Sequence, residues 1–338
     1  MLNDDDNAEP IGNDPAPKDA RIQKIQARDV PNPRWSTHHN NKLLTVVKKP
    51  IFGQSDKIFT IGSCFAERIR VALTAEGLDV GPPMQNVPMA HDRYRIDRLP
   101  ARPHSDYFNT FTIRQEFERH VGEWSRDPED YWLAKDQYWE TGQPVYQDPY
   151  RRLILARSPQ DLLEANEHVD RAIDQGIREA SVFFLTMGMA EVFRNKRTGK
   201  IACQKPGYSG GSGADETDFY MSTYEENLEN MSRVVDIINM VRPGARIVVT
   251  VSPVGLGRTF GDDDIIVANT ESKSILRVAL GALARKYDNV TYFPSYEIVM
   301  ANAPLSFRED DGRHVANWVV SRIVSAFKAA HFIQEGSP

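Results

Sequence analysis

Residues able to carry out acyl transfer stand at two distant places in this chain. Near its start, the apolar run Lys57-Ile-Phe-Thr-Ile breaks at Gly62, and Ser63 follows. Near its end, Asp311-Gly-Arg-His314 stands just ahead of a segment with apolar residues at helical spacing. A serine hydroxyl is a poor nucleophile until a base takes its proton. An imidazole does this best when a carboxylate holds its other nitrogen. Asp311 and His314, three residues apart in a loop entering a helix, can meet in that way. Neither stretch is decisive alone, because a serine behind a strand is commonly a helix N-cap and single Asp-x-x-His pairs arise by chance.

The elements around Ser63 are compatible with the chemical reading and with a plain N-cap alike. Ile58, Phe59 and Ile61 form a short buried strand, and Phe65, Ile69, Ala72 and Leu73 recur at helical spacing from Cys64 onward. Ser63 therefore sits at a helix N-terminus, where unpaired N–H groups and the positive end of the dipole favour a developing oxyanion. Cys64 competes as a nucleophile, since helix N-termini lower thiol pKa values. Its side chain should point about a third of a turn away from Ser63, into helix–sheet packing, which favours a structural role.

The rest of the chain alternates strands with amphipathic helices. Residues 1–33, rich in Asp, Asn, Pro and Lys, read as a disordered tail, and residues 34–334 as one α/β domain. Trp35 to Ile51 reads as an extended piece, and residues 79–104, dense in proline, as a long loop. Thr110 or Thr112 caps a helix bearing Ile113, Phe117 and Val121, with Asn109 just ahead of it. Residues 124–158 carry Trp124, Trp132, Trp139 and several tyrosines without clear period, and read as part of a loop-rich aromatic insertion around residues 105–180. Helices follow over 158–180, 222–240, 268–286 and 315–331, with buried strands at 181–188, 246–253 and 290–294 and a polar loop over 192–221.

This order predicts a three-layer α/β/α architecture with a mostly parallel sheet. Ligands bind such sheets beyond the carboxyl ends of the strands. Gly62 and Ser63, the run from Gly188 to Glu191, Ser252, and the segment before the last helix all fall at that edge, and Glu297 lies near another strand end.

Bulk properties exclude several classes of function. The 338 residues are 41% hydrophobic and 26% charged, as in an enzyme-sized globular protein. A net charge of −6 argues against sequence-independent nucleic-acid binding. Two cysteines, Cys64 and Cys203, make no disulfide framework. No secretory signal or membrane-length apolar stretch is present, so the expected location is cytoplasmic. Consecutive Asp262, Asp263 and Asp264 lack the alternate spacing of a calcium loop and read as a solvated turn, so no metal is expected. Gly210-Gly-Ser-Gly213 neither follows a strand nor carries the Lys-Ser/Thr pair of a phosphate loop. Nothing in the sequence sets an oligomeric state.

Gly62-Ser-Cys-Phe-Ala66 is the pentapeptide after which GSCFA-domain proteins are named, and the chain resembles that family, which looks like a branch of the SGNH/GDSL hydrolases. The resemblance continues through Tyr107-Phe-Asn-Thr-Phe-Thr-Ile-Arg-Gln, Phe184-Leu-Thr-Met-Gly, Thr250-Val-Ser-Pro-Val, Ala268-Asn-Thr-Glu-Ser-Lys-Ser-Ile-Leu-Arg, Tyr292-Phe-Pro-Ser-Tyr-Glu-Ile and Asp311-Gly-Arg-His-Val, over about residues 40 to 332. It implies an SGNH-like fold with flavodoxin-like winding, Ser63 as nucleophile, His314 as general base and Asp311 as its orienting acid. Gly62 and Cys64 flank the nucleophile in the implied oxyanion region. That superfamily also uses a glycine N–H and an asparagine side chain, but Gly188-Met-Ala-Glu191 has Ala190 where the asparagine would stand. Asn109 is the candidate replacement, with Gly188 contributing through its backbone and Glu191 and Ser252 placed to touch substrate. The activity so implied is an acyl-ester hydrolase or O-acyltransferase on a small-molecule or carbohydrate ester, such as a cell-envelope precursor. It would work through acyl-Ser63 with no cofactor, or with acetyl-CoA or another acyl donor if a transferase. The alternative is a binding or scaffold protein that keeps the fold without efficient catalysis.

Overall fold

The computed structural model describes residues 24–41, 43–88, 90–96, 107–136, 139–152, 154–206, 212–303, 305–308 and 310–333. Strand β1 (Lys24–Arg28), helix α1 (Trp35–Asn41) and β2 (Leu43–Val47) precede β3 (Lys57–Gly62), α2 (Cys64–Ala75) and β4 (Asp79–Gly81). Next come β5 (Tyr94–Ile96), α3 (Thr110–His120), β6 (Trp132–Ala134), β7 (Val145–Gln147), β8 (Ile154–Ala156) and α4 (Pro159–Glu179). The second half runs through β9 (Val182–Met187), β10 (Glu191–Asn195), β11 (Ile201–Ala202), β12 (Thr217–Met221), α5 (Tyr224–Val241) and β13 (Arg246–Val251). It ends with α6 (Ile265–Lys286), β14 (Val290–Tyr292), α7 (Ser295–Met300) and α8 (Asn317–His331).

The central sheet has the order β14-β13-β9-β3-β4, and every neighbouring pair is parallel. Its strands are apolar on both faces because side chains alternate and both faces are covered. Phe59, Ile61, Phe183, Leu185, Ile247 and Val249 point into a core shared with α4, α5 and α6. Ile58, Val182, Phe184 and Val248 point to the other side, against Phe65, Ile69 and Leu73 of α2 and Val319, Ile323 and Phe327 of α8. The result is the expected three-layer α/β/α sandwich. Taken in chain order, the sheet is wound 2-1-3-4-5, so strand order reverses between β3 and β9, the place where such folds open a crevice.

Cap chemistry sets the helix starts. Ser158 accepts from Asp161 N–H ahead of Pro159, and Thr223 forms a capping box with Glu226. Asp264 caps α6, three residues earlier than the apolar pattern predicts. Asn109, rather than Thr110 or Thr112, caps α3.

Several segments differ from the sequence reading. Of the stretch read as a tail, residues 1–23 lie outside the described residues, while Lys24–Arg28 is a strand paired in parallel with β2. Ile25 and Ala27 alternate toward the α8 side of the core, a signal too short to detect beside so many polar neighbours. Trp35–Asn41 is helical, not extended. Asp79–Gly81, in the stretch read as loop, adds an edge strand before the prolines begin. The polar loop over 192–221 carries strands of an antiparallel sheet of order β11-β10-β12. The aromatic insertion carries a four-stranded antiparallel sheet of order β5-β8-β7-β6, whose strands of three residues are too short to show a period. Helix α4 packs on β3 of the main sheet and also on β5, β7 and β8 of the insertion. No helix among the described residues is long and apolar enough to cross a membrane.

Gly62 closes β3 at φ +148°, and a Cβ there would stand 2.2 Å from the Thr186 carbonyl oxygen on β9. Neither the dihedral nor the space admits a side chain. Gly62→Ala is expected to cost about 2–4 kcal/mol, read from urea unfolding; a loss within the scatter of repeat measurements would show that the strand ends separate freely.

Candidate active site

The switch between β3 and β9 is spanned by a main-chain strap. Tyr107 N–H donates to the Gly62 carbonyl at 2.7 Å, and the Phe108 carbonyl accepts from Gly188 and Met189 N–H at 2.9 Å each. Asn109 follows at once and is buried. Its Oδ1 accepts from Thr112 N–H at 2.9 Å, and its amide N–H groups take no part in that cap. The strap thus brings Asn109 to the edge that holds Ser63 and Gly188.

Ser63 occupies the N-cap of α2 with extended backbone, yet its side chain makes no capping bond. The hydroxyl is buried and unpartnered among the described residues, a state that costs about 1–3 kcal/mol relative to a paired group. Gly188 is packed against it, since a Cβ on residue 188 would lie 3.1 Å from the Ser63 Cβ and 2.9 Å from the Phe108 oxygen.

Asp311 and His314 meet as their spacing predicts. Asp311 Oδ2 bonds His314 Nδ1, and Oδ1 accepts the backbone N–H groups of Arg313 and His314 at 2.9 Å each. Burial would raise the Asp311 pKa, but the hydrogen bonds from the His314 ring and the two N–H groups outweigh it and hold it at about 2. The carboxylate therefore stays ionised at neutral pH and keeps the ring proton on Nδ1, which leaves Nε2 as the basic nitrogen.

His314 opens on a cleft of about 340 Å³, solvent space included, lined by Cys64, Phe65, Glu67 and Arg68 of α2 and by Val254, His314 and Val315. The folded sheet therefore carries the imidazole to the head of α2, where Ser63 stands. Cys64 shares the cleft with the imidazole; it is partly buried, in no disulfide, and packs against the α8 side of the core.

Other residues singled out at strand ends have structural partners. Gly188 spends its N–H on Phe108, so it is not a spare oxyanion donor as the sequence suggests. Ser252 donates its N–H to the Met187 carbonyl at 2.8 Å and accepts from Val254 N–H at 3.3 Å, which closes the turn after β13. Glu297 pairs with Arg277 at 2.5 Å and accepts from Tyr292, away from the cleft. Glu191 is fully buried: Oε1 accepts from Thr259 at 2.5 Å and Oε2 has no partner among the described residues. Burial raises its pKa against the hydrogen bonds of Thr259 and the Phe260 N–H. Among the described residues no group of three or more His, Cys, Asp or Glu is placed to hold a metal ion.

Sequence reasoning missed Lys273. It is 1% exposed on α6, and its Nζ donates to the Gly188 carbonyl. The signal was present, since Lys273 stands three residues before Leu276 on the apolar stripe of that helix.

The GSCFA family model matches residues 57–327, a span that includes Ser63, Asn109, Gly188, Lys273, Asp311 and His314. No curated protein matches the chain.

Glu191 yields a pH-dependent expectation. A carboxyl whose folded pKa exceeds its unfolded one favours the fold at low pH, and that contribution is lost as the pH rises through the folded value. Glu191→Gln should be at least as stable as the parent at pH 7, with the gap narrowing toward pH 4 in thermal unfolding. A variant that is markedly less stable at pH 7 would mean that the ionised carboxylate is stabilised after all.

Proposed function

The chain belongs to the GSCFA family, and we propose that it is a serine-dependent acyl-ester hydrolase or O-acyltransferase of SGNH type. The observation that carries this reading is the Asp311–His314 pair facing the head of α2 at the carboxyl edge of the sheet. A carbohydrate or cell-envelope ester as substrate rests on family-level analogy.

In the proposed mechanism the Ser63 side chain turns toward the cleft, Oγ attacks the acyl carbonyl, and its proton passes to His314 Nε2. Asp311 stabilises the imidazolium that forms. The tetrahedral oxyanion is met by N–H groups of the first turn of α2 and by the Asn109 amide. His314 then returns the proton to the departing alkoxide, and the acyl group stays on Ser63. Water, deprotonated by His314, releases the acid in an esterase; a sugar hydroxyl takes the acyl group in a transferase.

One observation favours a second reading. Cys64, not Ser63, lines the cleft beside His314, so a thiol-based acyl transfer with the same base and acid fits the same geometry. Fluorophosphonate labelling and p-nitrophenyl acetate turnover separate the two. Ser63→Ala and His314→Ala should each lower turnover by at least about a thousandfold, and Ser63→Ala should abolish labelling, while Cys64→Ala retains both. The reverse pattern for Ser63 and Cys64 moves the nucleophile to the thiol. Absence of turnover with any acyl donor, including acetyl-CoA with sugar acceptors, favours a binding or scaffold role.

Asn109→Ala tests the oxyanion assignment. It should cost about 1 kcal/mol of stability for the lost cap and lower kcat by about a hundredfold or more. A stability loss with unchanged kcat would confine Asn109 to capping.

A further inference from the structure

Lys273 lies in the interior with no carboxylate paired to it among the described residues. Its Nζ donates to the carbonyl of Gly188, and Gly188 is packed on Ser63, so a single residue separates the ammonium from the head of α2. Two groups on other elements act on its charge. Cys64 on α2 favours the protonated form, and Arg313 in the loop before α8 disfavours it.

We infer that Lys273 is a positioning residue whose ammonium stabilises negative charge arising at the head of α2. A methionine would fill the same volume without the penalty of burying a charge, so packing does not account for a lysine here. Burial outweighs the help from Cys64 and brings the lysine pKa down to about 7, which leaves it able to gain or lose its proton near neutrality. An anion forming beside it favours the ammonium, and by reciprocity the ammonium favours that anion. Its role in turnover rests on the acyl-transfer reading; its electrostatic effect does not.

Cys64 serves as the local probe. Its rate of alkylation by iodoacetamide is followed against pH by peptide-resolved mass spectrometry, which separates it from the buried Cys203. With Lys273 present the thiol should titrate below its ordinary value of about 8.5. Lys273→Gln keeps an N–H donor for the Gly188 carbonyl but removes the charge; it should move the profile up by about one unit, a roughly tenfold slower reaction at pH 7. Lys273→Met is the second variant, and both should unfold at or above the parent temperature at pH 7, since a buried unpaired charge is gone. An unchanged profile in either folded variant, or a parent thiol titrating at or above about 8.5, overturns the inference. In ester turnover, Lys273→Gln should lower kcat at least tenfold with KM little changed. Parent protein without any turnover defeats the acyl-transfer reading and leaves the thiol titration to decide on Lys273.

Discussion

The site depends on a close approach of backbone at the point where strand order reverses. Parallel strands on either side of that point send their connections in opposite directions, which leaves a gap beyond their carboxyl ends. Here the gap is bridged by Tyr107 and Phe108, hydrogen bonded to Gly62 on one side and to Gly188 and Met189 on the other. Such an approach requires glycine on both sides. A side chain on Gly62 would strike Thr186, and one on Gly188 would press against Phe108 and Ser63. The bridge sets the position of Asn109 and also takes up the Gly188 N–H.

Beneath the bridge lies a buried set of charges that fixes its direction. The Tyr107 hydroxyl donates to Glu116 Oε2 at 2.5 Å, and Glu116 also accepts from Arg151 at 2.7 Å and Arg119 at 2.5 Å. Arg151 reaches Asp170 at 2.5 Å and the Asn166 carbonyl at 3.1 Å, and Arg119 reaches Asp174 at 2.7 Å, so helices α3 and α4 are joined through guanidinium groups. Burial works against the Glu116 carboxylate, but Arg151, Arg119 and Arg126 together hold its pKa well below the usual range. Buried ion pairs seldom exceed an apolar core in stability, although losing one member is costly. The effect of this cluster is therefore positional: it admits one orientation of the segment that carries Asn109.

At the sheet edge the polar groups are handled differently. Ser63 Oγ just after β3, Thr186 Oγ1 near the end of β9 and Glu191 Oε2 at the start of β10 are buried without partners among the described residues. A buried hydroxyl or carboxyl oxygen left unpaired lowers stability, whereas the charges under the bridge are fully engaged.

The helices and strands of the sandwich were legible because both faces of the sheet are covered and each helix has one apolar side, so the periodicity of Leu162, Val169, Ile173 and Ile177 or the run Val182–Met187 reports burial directly. The Asp311–His314 contact was legible for the same local reason: three residues of chain set it. The small sheets were not, since strands of two to five residues at 132–156 and 191–221 owe their existence to neighbours distant in sequence. Nor was the environment of Ser63 and Cys64, because adjacent residues on one turn differ in exposure according to what the loop before α8 covers. Lys273 was visible as a lysine on an apolar stripe, but only the fold brings α6 to the end of β9 and sets its charge behind Gly188. Residue type and spacing thus determined which polar groups this protein carries; that Ser63, Gly188 and Lys273 stand together and that His314 reaches the head of α2 was decided by the winding of the sheet, because these approaches are made across chain distances that no local pattern records.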